Sequence, residues 1–245
     1  MTRPSSTPRH QGNHGQDTVA GEETESTKDA RWKTASVNPK SKIRNPKSLL
    51  VLASASPRRR EILKALGLRF RVMVPDADPP PGDDATPEEH ALSSARAKAL
   101  SVEHRVRKGW IVGVDTVVVV GRCILGKPRD REDAGRMLRL LSGRTHLVIS
   151  GVAVLSKTRA ALQAGRSPLS LLSASETSRV TFRTLGDQEV ERYLAADEPY
   201  DKAGAYGIQG RAGAFVARVS GSYWNVVGLP VTTVLRLLFR AGYRF

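Results

Sequence analysis

Ile111-Val112-Gly113-Val114-Asp115-Thr116-Val117-Val118-Val119-Val120 is an apolar run broken at one point by a carboxylate. Its β-branched residues favour extended backbone and, with Trp110 in front, predict a strand over 110–120. The interruption at Asp115 and the short length rule the run out as a membrane span. Upstream, Leu49-Leu50-Val51-Leu52-Ala53 reads as a short buried strand after Ser48. Ser56 to Leu66 reads as a helix, with Ser56 as N-cap, Pro57 at the first helical position and Gly67 as its stop. Phe70 to Val74 returns as a strand, and Thr86-Pro87-Glu88-Glu89 is a capping box opening a helix that runs to about Val102. Downstream, Asp130 to Leu141 is a helix, and His146 to Leu155 and Ser178 to Thr184 read as strands. The polar linker 156–177 between them reads as a hairpin excursion. A helix from Asp187 to Ala195, a glycine-rich stretch from Gly204 to Gly213, a strand near Phe215 to Val219 and a helix from Pro230 to Ala241 follow. Strands alternating with helices make this an α/β fold.

Residues 1–46 are rich in Ser, Thr, Pro, Asn, Gln and Lys, with almost nothing aliphatic to bury. They read as a disordered extension, leaving 47–245 as the folded domain. That extension has neither the apolar stretch of a secretory signal nor the acid-poor composition of a transit peptide, since Glu22, Glu23 and Glu25 lie together. The single cysteine, Cys123, excludes an intramolecular disulfide and fits a reducing compartment, so a cytoplasmic protein is expected. The formal net charge is +15, and residues 1–44, with eight Lys/Arg and five Asp/Glu, supply only +3 of it. The other +12 belongs to the folded part and would attract polyanions: nucleotides, nucleic acids or acidic membranes.

Chemistry concentrates in four places. Ser54-Ala55-Ser56-Pro57-Arg58-Arg59-Arg60 puts three arginines at a helix start, where the helix dipole disfavours cations. Either the turn is simply solvated, or an anion bound across the free N–H groups and the guanidinium forks reverses the penalty. Glycines of a nucleotide-binding loop are missing from it. Asp115 lies within an apolar strand, where an ionised carboxylate costs several kcal/mol unless paired or metal-bound. It is either an edge residue paired with an arginine, or a metal ligand or general base. Leu125-Gly126-Lys127-Pro128 holds a lysine in a tight turn. Tyr200-Asp201-Lys202-Ala203-Gly204-Ala205-Tyr206-Gly207-Ile208-Gln209-Gly210 is too glycine-rich for a regular element and carries groups able to read a base. Ser222 to Pro230 reads as a packed turn into the last helix. His146 reads as a core or edge histidine, the five histidines show no zinc-ligand spacing, and no nucleophile elbow is present.

Together these segments resemble the Maf family of nucleotide pyrophosphatases. The resemblance rests on Leu52 to Arg59, Ala95-Arg96-Ala97-Lys98-Ala99, Gly113 to Val118, Ile124 to Pro128, Leu141-Ser142-Gly143-Arg144-Thr145-His146, Asp201 to Gly210 and Asn225 to Pro230. It implies a mixed sheet with flanking helices and two lobes around a nucleotide cleft, in a homodimer. The implied reaction is metal-assisted attack of water on the α-phosphorus of a nucleoside triphosphate, with Mg²⁺ or Mn²⁺ as cofactor. Carried over by position, Asp115 is the proton acceptor and a metal partner, and Arg58, Arg59, Lys98, Lys127 and Lys202 form the phosphate cradle. Arg58, Thr116 and Gln209 fall where substrate choice is set. The run from Tyr200 to Gly210 is similar to the branch acting on dTTP and UTP, with modified pyrimidine nucleotides as further substrates. One departure touches the metal: Pro79 stands where the family has a glutamate, so that either Asp78 is the substitute ligand or metal affinity is reduced. The alternatives are a Maf fold with a disabled metal site, and a basic nucleic-acid-binding protein. Against the second stand the 5% aromatic content and the lack of a nucleic-acid module. Neither a specific nucleic acid nor a membrane is expected as partner.

Overall fold

A computed structural model describes residues 49–76, 85–157, 170–196 and 198–244. The strand β1 (Leu49–Ala53) leads through α1 (Pro57–Ala65) to β2 (Arg71–Met73). Next come α2 (Pro87–Ser101), β3 (Gly109–Val120), β4 (Cys123–Leu125) and α3 (Arg131–Leu141). The long strands β5 (Thr145–Lys157) and β6 (Ser170–Phe182) are followed by α4 (Asp187–Leu194), then β7 (Val216–Ser220), α5 (Tyr223–Val227) and α6 (Val231–Arg240). The sheet has seven strands in the order β2-β1-β3-β5-β6-β7, with β4 also on β3. Strand β1 runs parallel to β2 and β3, while every other pairing is antiparallel. The mixed α/β sheet with flanking helices is therefore as expected.

Local signals placed most elements. Thr86 caps α2 in a complete capping box with Glu89, and the Asp130 side chain accepts from the Asp133 N–H at the start of α3. Ser56 is the N-cap of α1 by backbone geometry alone, without a side-chain cap bond. One expectation is corrected. Residues 170–177 are no excursion but the first half of β6, paired from Ser170↔Ser156 to Thr177↔Ile149. Their polar composition suits a strand on which most residues up to Thr177 stay partly or fully exposed. Residues 158–169, the extension 1–46, and Asp78 with Pro79 lie outside the described residues. Among the described residues no helix is long and apolar enough to cross a membrane.

Alternation along the strands sorts the core into layers. Leu50, Leu52, Val112 and Val114 point to one face, where Ile62 and Leu63 of α1 and Leu237 and Leu238 of α6 cover them. Val51, Ala53 and Ile111 point to the other, under Ala95 and Ala99 of α2. Towards the far end of β3, Val118 and Val120 join a third cluster with Leu138 of α3 and Leu194 of α4. Helix α2 lies unusually close to the sheet. A Cβ on Gly113 would stand 2.2 Å from the Ala95 carbonyl oxygen, and one on Gly151 would stand 2.1 Å from that of Ala91. Two glycines beneath the alanines of α2 thus set how near this helix comes to β3 and β5.

Candidate active site

Strand β1 stops pairing with β3 at Ala53↔Gly113, and β4 begins only at Val118↔Leu125. Along this edge Val114 to Val117 have no strand partner among the described residues. A cavity of about 930 Å³ opens at this gap, at the carboxyl end of β1, where open α/β sheets commonly bind ligands. Because side chains alternate, Asp115 reaches it from the α2 face and Thr116 from the α1 face. The β1–α1 turn, the Gly126-Lys127 turn and the run from Asp201 to Gly210 complete its wall.

Every expected site residue within the described part lines this cavity: Arg58, Arg59, Lys98, Asp115, Thr116, Lys127, Lys202 and Gln209. Five are cationic, against the carboxylates of Asp115 and Asp201, so the wall carries a surplus of three positive charges. That field favours a polyanion in a partly enclosed space.

Asp115 is paired, though with a lysine rather than an arginine. Lys98 Nζ donates to Asp115 Oδ1 at 2.5 Å, both side chains being largely buried at 10% and 17% exposure. The close seat of α2 on Gly113 brings this lysine over the strand. No hydrogen bond to Asp115 Oδ2 is made among the described residues, which leaves that oxygen for water or a cation.

The two arginines of the α1 turn differ sharply. Arg59 is buried and its fork is committed: Nε donates to the Gly228 carbonyl at 2.8 Å, Nη1 to Val114 O at 2.8 Å and Ser54 Oγ at 3.1 Å, and Nη2 to Thr116 Oγ1 at 3.1 Å. It ties β1, the open edge of β3 and the turn after α5 into one unit. Thr116 Oγ1 also meets Ser150 Oγ at 2.9 Å. Arg58, in contrast, reaches Asp201 Oδ2 at 3.3 Å from a partly exposed position. Asp201 also accepts from Lys202 Nζ at 2.5 Å, so one carboxylate holds two cations at the rim. Partial burial pushes the Asp201 carboxyl up, but the Lys202 hydrogen bond and the Arg58 charge outweigh it, and the net result lies below the usual range. Lys127 and Gln209 make no side-chain hydrogen bond among the described residues and stand exposed on the wall.

Reading the chain alone misses several members. Asp201 lies in the glycine-rich run singled out in the sequence but is given no role of its own there, and Ser54 and Ser150 matter only through Arg59 and Thr116. His90 also lines the cavity. Asn225, within the expected packed turn, is fully buried in a short helix and donates to Val148 O, Glu176 O and Ser178 Oγ. It thereby fixes the segment that carries Gly228 to β5 and β6.

Residues 49–241 match the family described as Maf-like protein. The dTTP/UTP pyrophosphatase of Pelotomaculum thermopropionicum is 44% identical over 194 residues, covering 79% of this chain and 97% of that one. The dTTP/UTP pyrophosphatase of Myxococcus xanthus is 48% identical over 195 residues, covering 80% and 93%. Among solved structures, the Staphylococcus aureus Ham1 protein aligns with a TM-score of 0.42 at 13% identity, over 80% of this chain and 100% of that one.

Proposed function

The chain belongs to the Maf-like family, and from this premise we propose that it hydrolyses dTTP and UTP to the monophosphate and pyrophosphate in the cavity beside β3. The observation that carries this reading is the Lys98–Asp115 pair at the gap in the sheet, set in a wall with a surplus of positive charge. Cleavage of a triphosphate requires placed water and neutralised phosphate oxygens rather than a covalent nucleophile. Asp115 accepts the proton of the attacking water through its free oxygen, and Lys98 fixes the orientation of that carboxylate. Lys127, Lys202 and Arg58 lie against the phosphates and stabilise the departing pyrophosphate. Arg59, with its fork committed to the protein, acts by holding the turn and Thr116 in place. Gln209, exposed and uncommitted, meets the base and biases the choice among nucleotides. Modified pyrimidine nucleotides would fit the same reading.

Among the described residues no group of three or more His, Cys, Asp or Glu side chains gathers, so they form no protein cage for a metal. A magnesium- or manganese-type ion, which takes one or two carboxylates and fills its other positions with phosphate oxygens and water, does fit this sparse set. Asp115 would be its ligand here, with Asp78 the further candidate. When bound, such an ion neutralises phosphate charge and polarises the reacting group. A homodimer and a cytoplasmic location complete the proposal; the first follows from the family resemblance, and the exposed free thiol of Cys123 supports the second.

The test is pyrophosphate release from a panel of nucleoside triphosphates, with Mg²⁺ or Mn²⁺ and with chelator, by the wild type and Asp115→Asn. Metal-dependent release favouring dTTP and UTP is expected, together with a loss of at least about 100-fold in the variant while its circular dichroism is unchanged. Normal turnover by Asp115→Asn would overturn its assigned role.

A further inference from the structure

His146 is the second residue of β5 and closes the Leu141–His146 segment, a segment that the cavity chemistry leaves unused. It is 1% exposed. Its Nε2 lies 2.8 Å from the hydroxyl oxygen of Tyr206, and its Nδ1 is buried without a partner. Tyr206, itself 6% exposed, lines the cavity two residues from Ile208 and three from Gln209. The rings of His146, Phe182 and Tyr206 meet edge-to-face with centroids 4.8 to 5.4 Å apart. Burial pushes the imidazole down to about 4, so at neutral pH it is uncharged, and burial also pushes the Tyr206 hydroxyl up. The bond between them is therefore neutral, dry and strong for its kind.

Ala205 and Tyr206 pack into the core at the start of the loop that this bond reaches, whereas Gln209 and Gly210 at its other end are exposed. Gly204 N donates to Gly126 O, beside Lys127, at 3.0 Å, and Gly210 N closes a turn onto Gly207 O. Between them Ala205, with φ at +60°, is the one non-glycine residue in the left-handed region among the described residues. An alanine in that region is strained and persists only where its surroundings hold it. The residue directly after it is Tyr206.

We propose that His146 is a positioning residue for substrate binding: from the rigid sheet it anchors Tyr206, and so fixes the loop 204–210 that presents Gln209 to the bound nucleotide. The inference rests on the reading of the cavity as a nucleoside triphosphate site. A side chain that merely filled the core would affect stability alone. An anchor acts on binding, and its two halves act as one unit.

The experiment uses the full chain with Tyr206→Phe, His146→Leu, the double variant and His146→Gln, whose amide can still donate to or accept from the tyrosine hydroxyl. In steady-state kinetics each single variant should raise KM for dTTP and UTP about fivefold, with kcat within about twofold. The double variant should be no worse than either single one, and His146→Gln should recover most of the loss. Unchanged KM in Tyr206→Phe, or fully additive effects in the double variant, would overturn the proposal. Hydrogen exchange without nucleotide supplies a readout independent of activity. The backbone amides of 204–210 should exchange about tenfold faster in Tyr206→Phe and His146→Leu than in the wild type. Unchanged exchange in that loop overturns the anchoring role whatever the kinetics. Should the wild type release no pyrophosphate from any triphosphate, the nucleotide reading fails, and the exchange result alone decides whether His146 anchors the loop.

Discussion

Arg58 and Arg59 are neighbours of the same type in the same helical turn, yet the fold assigns them opposite tasks. The buried fork of Arg59 satisfies two backbone carbonyls and two hydroxyls, and a lysine at that position could reach only some of them. Arg59→Lys should therefore lower folding stability by about 2–3 kcal/mol, because buried acceptors are left unpaired. Arg58 lies at the rim in a partly exposed ion pair with Asp201, and such pairs contribute little to stability. Arg58→Ala should leave the denaturation midpoint within about 0.5 kcal/mol of the wild type and raise KM for the triphosphate about tenfold. Urea denaturation and steady-state kinetics of both variants check the contrast. An Arg59→Lys protein as stable as the wild type would show that its hydrogen bonds are dispensable. The sequence marks both arginines as anion-seeking at a helix start. Which one is spent on the protein depends on the carbonyls of Val114 and Gly228, 55 and 169 residues away, and no local pattern reveals those partners.

Helix α2 shows how an element carries chemistry to a strand. Its capping box sets where it begins, and Ala91, Ala95 and Ala99 let it lie on Gly151 and Gly113. Gly113→Ala would place a methyl group 2.2 Å from the Ala95 carbonyl oxygen, a backbone atom that cannot turn aside. The helix must then lift, at a cost of about 3 kcal/mol, and Lys98 withdraws from Asp115. The expected outcome is a lower urea midpoint together with a fall in kcat; full activity in a fully stable Gly113→Ala would contradict the close seat of α2. Most elements were legible because their signals are local: β-branched runs for β1 and β3, N-cap residues for α2 and α3, and glycine after α1. The start of β6 was not legible, since its first residues, Ser170 to Thr177, pair along β5 while staying largely outside the core. The short β4 and α5 also escape, for three to five residues give no periodicity to read. For the site, the sequence marked the residue types around Asp115. The gap in the sheet edge that gathers them is a property of strand pairing alone.

For the molecule as a whole, the buried histidine couples folding to pH. His146 titrates near 6.5 when unfolded but only at about 4 when folded. Between those values the unfolded chain binds more protons, so stability is complete above about pH 6.5 and declines as pH falls towards 4, by up to about 3 kcal/mol. His146→Leu should flatten the decline in that window, as read from urea denaturation at pH 7, 5.5 and 4.5; an unaltered slope would mean that the ring is protonated inside the fold. The lowered carboxyls of Asp201, Asp133 and Glu189 lose their contributions at lower pH and would keep some acid sensitivity in the variant. The charge of +15 acts on the same scale. It draws anionic nucleotides towards a cavity whose own wall is positive, and it weakens as salt screens it.

In the proposed reaction water attacks the α-phosphorus of a pyrimidine nucleoside triphosphate at Asp115. Turnover of dTTP in ¹⁸O-labelled water, followed by mass spectrometry of both products, tests it directly. The label is predicted in the nucleoside monophosphate, with unlabelled pyrophosphate. Label in pyrophosphate, or release of single phosphate from the γ position, would contradict attack at the α-phosphorus.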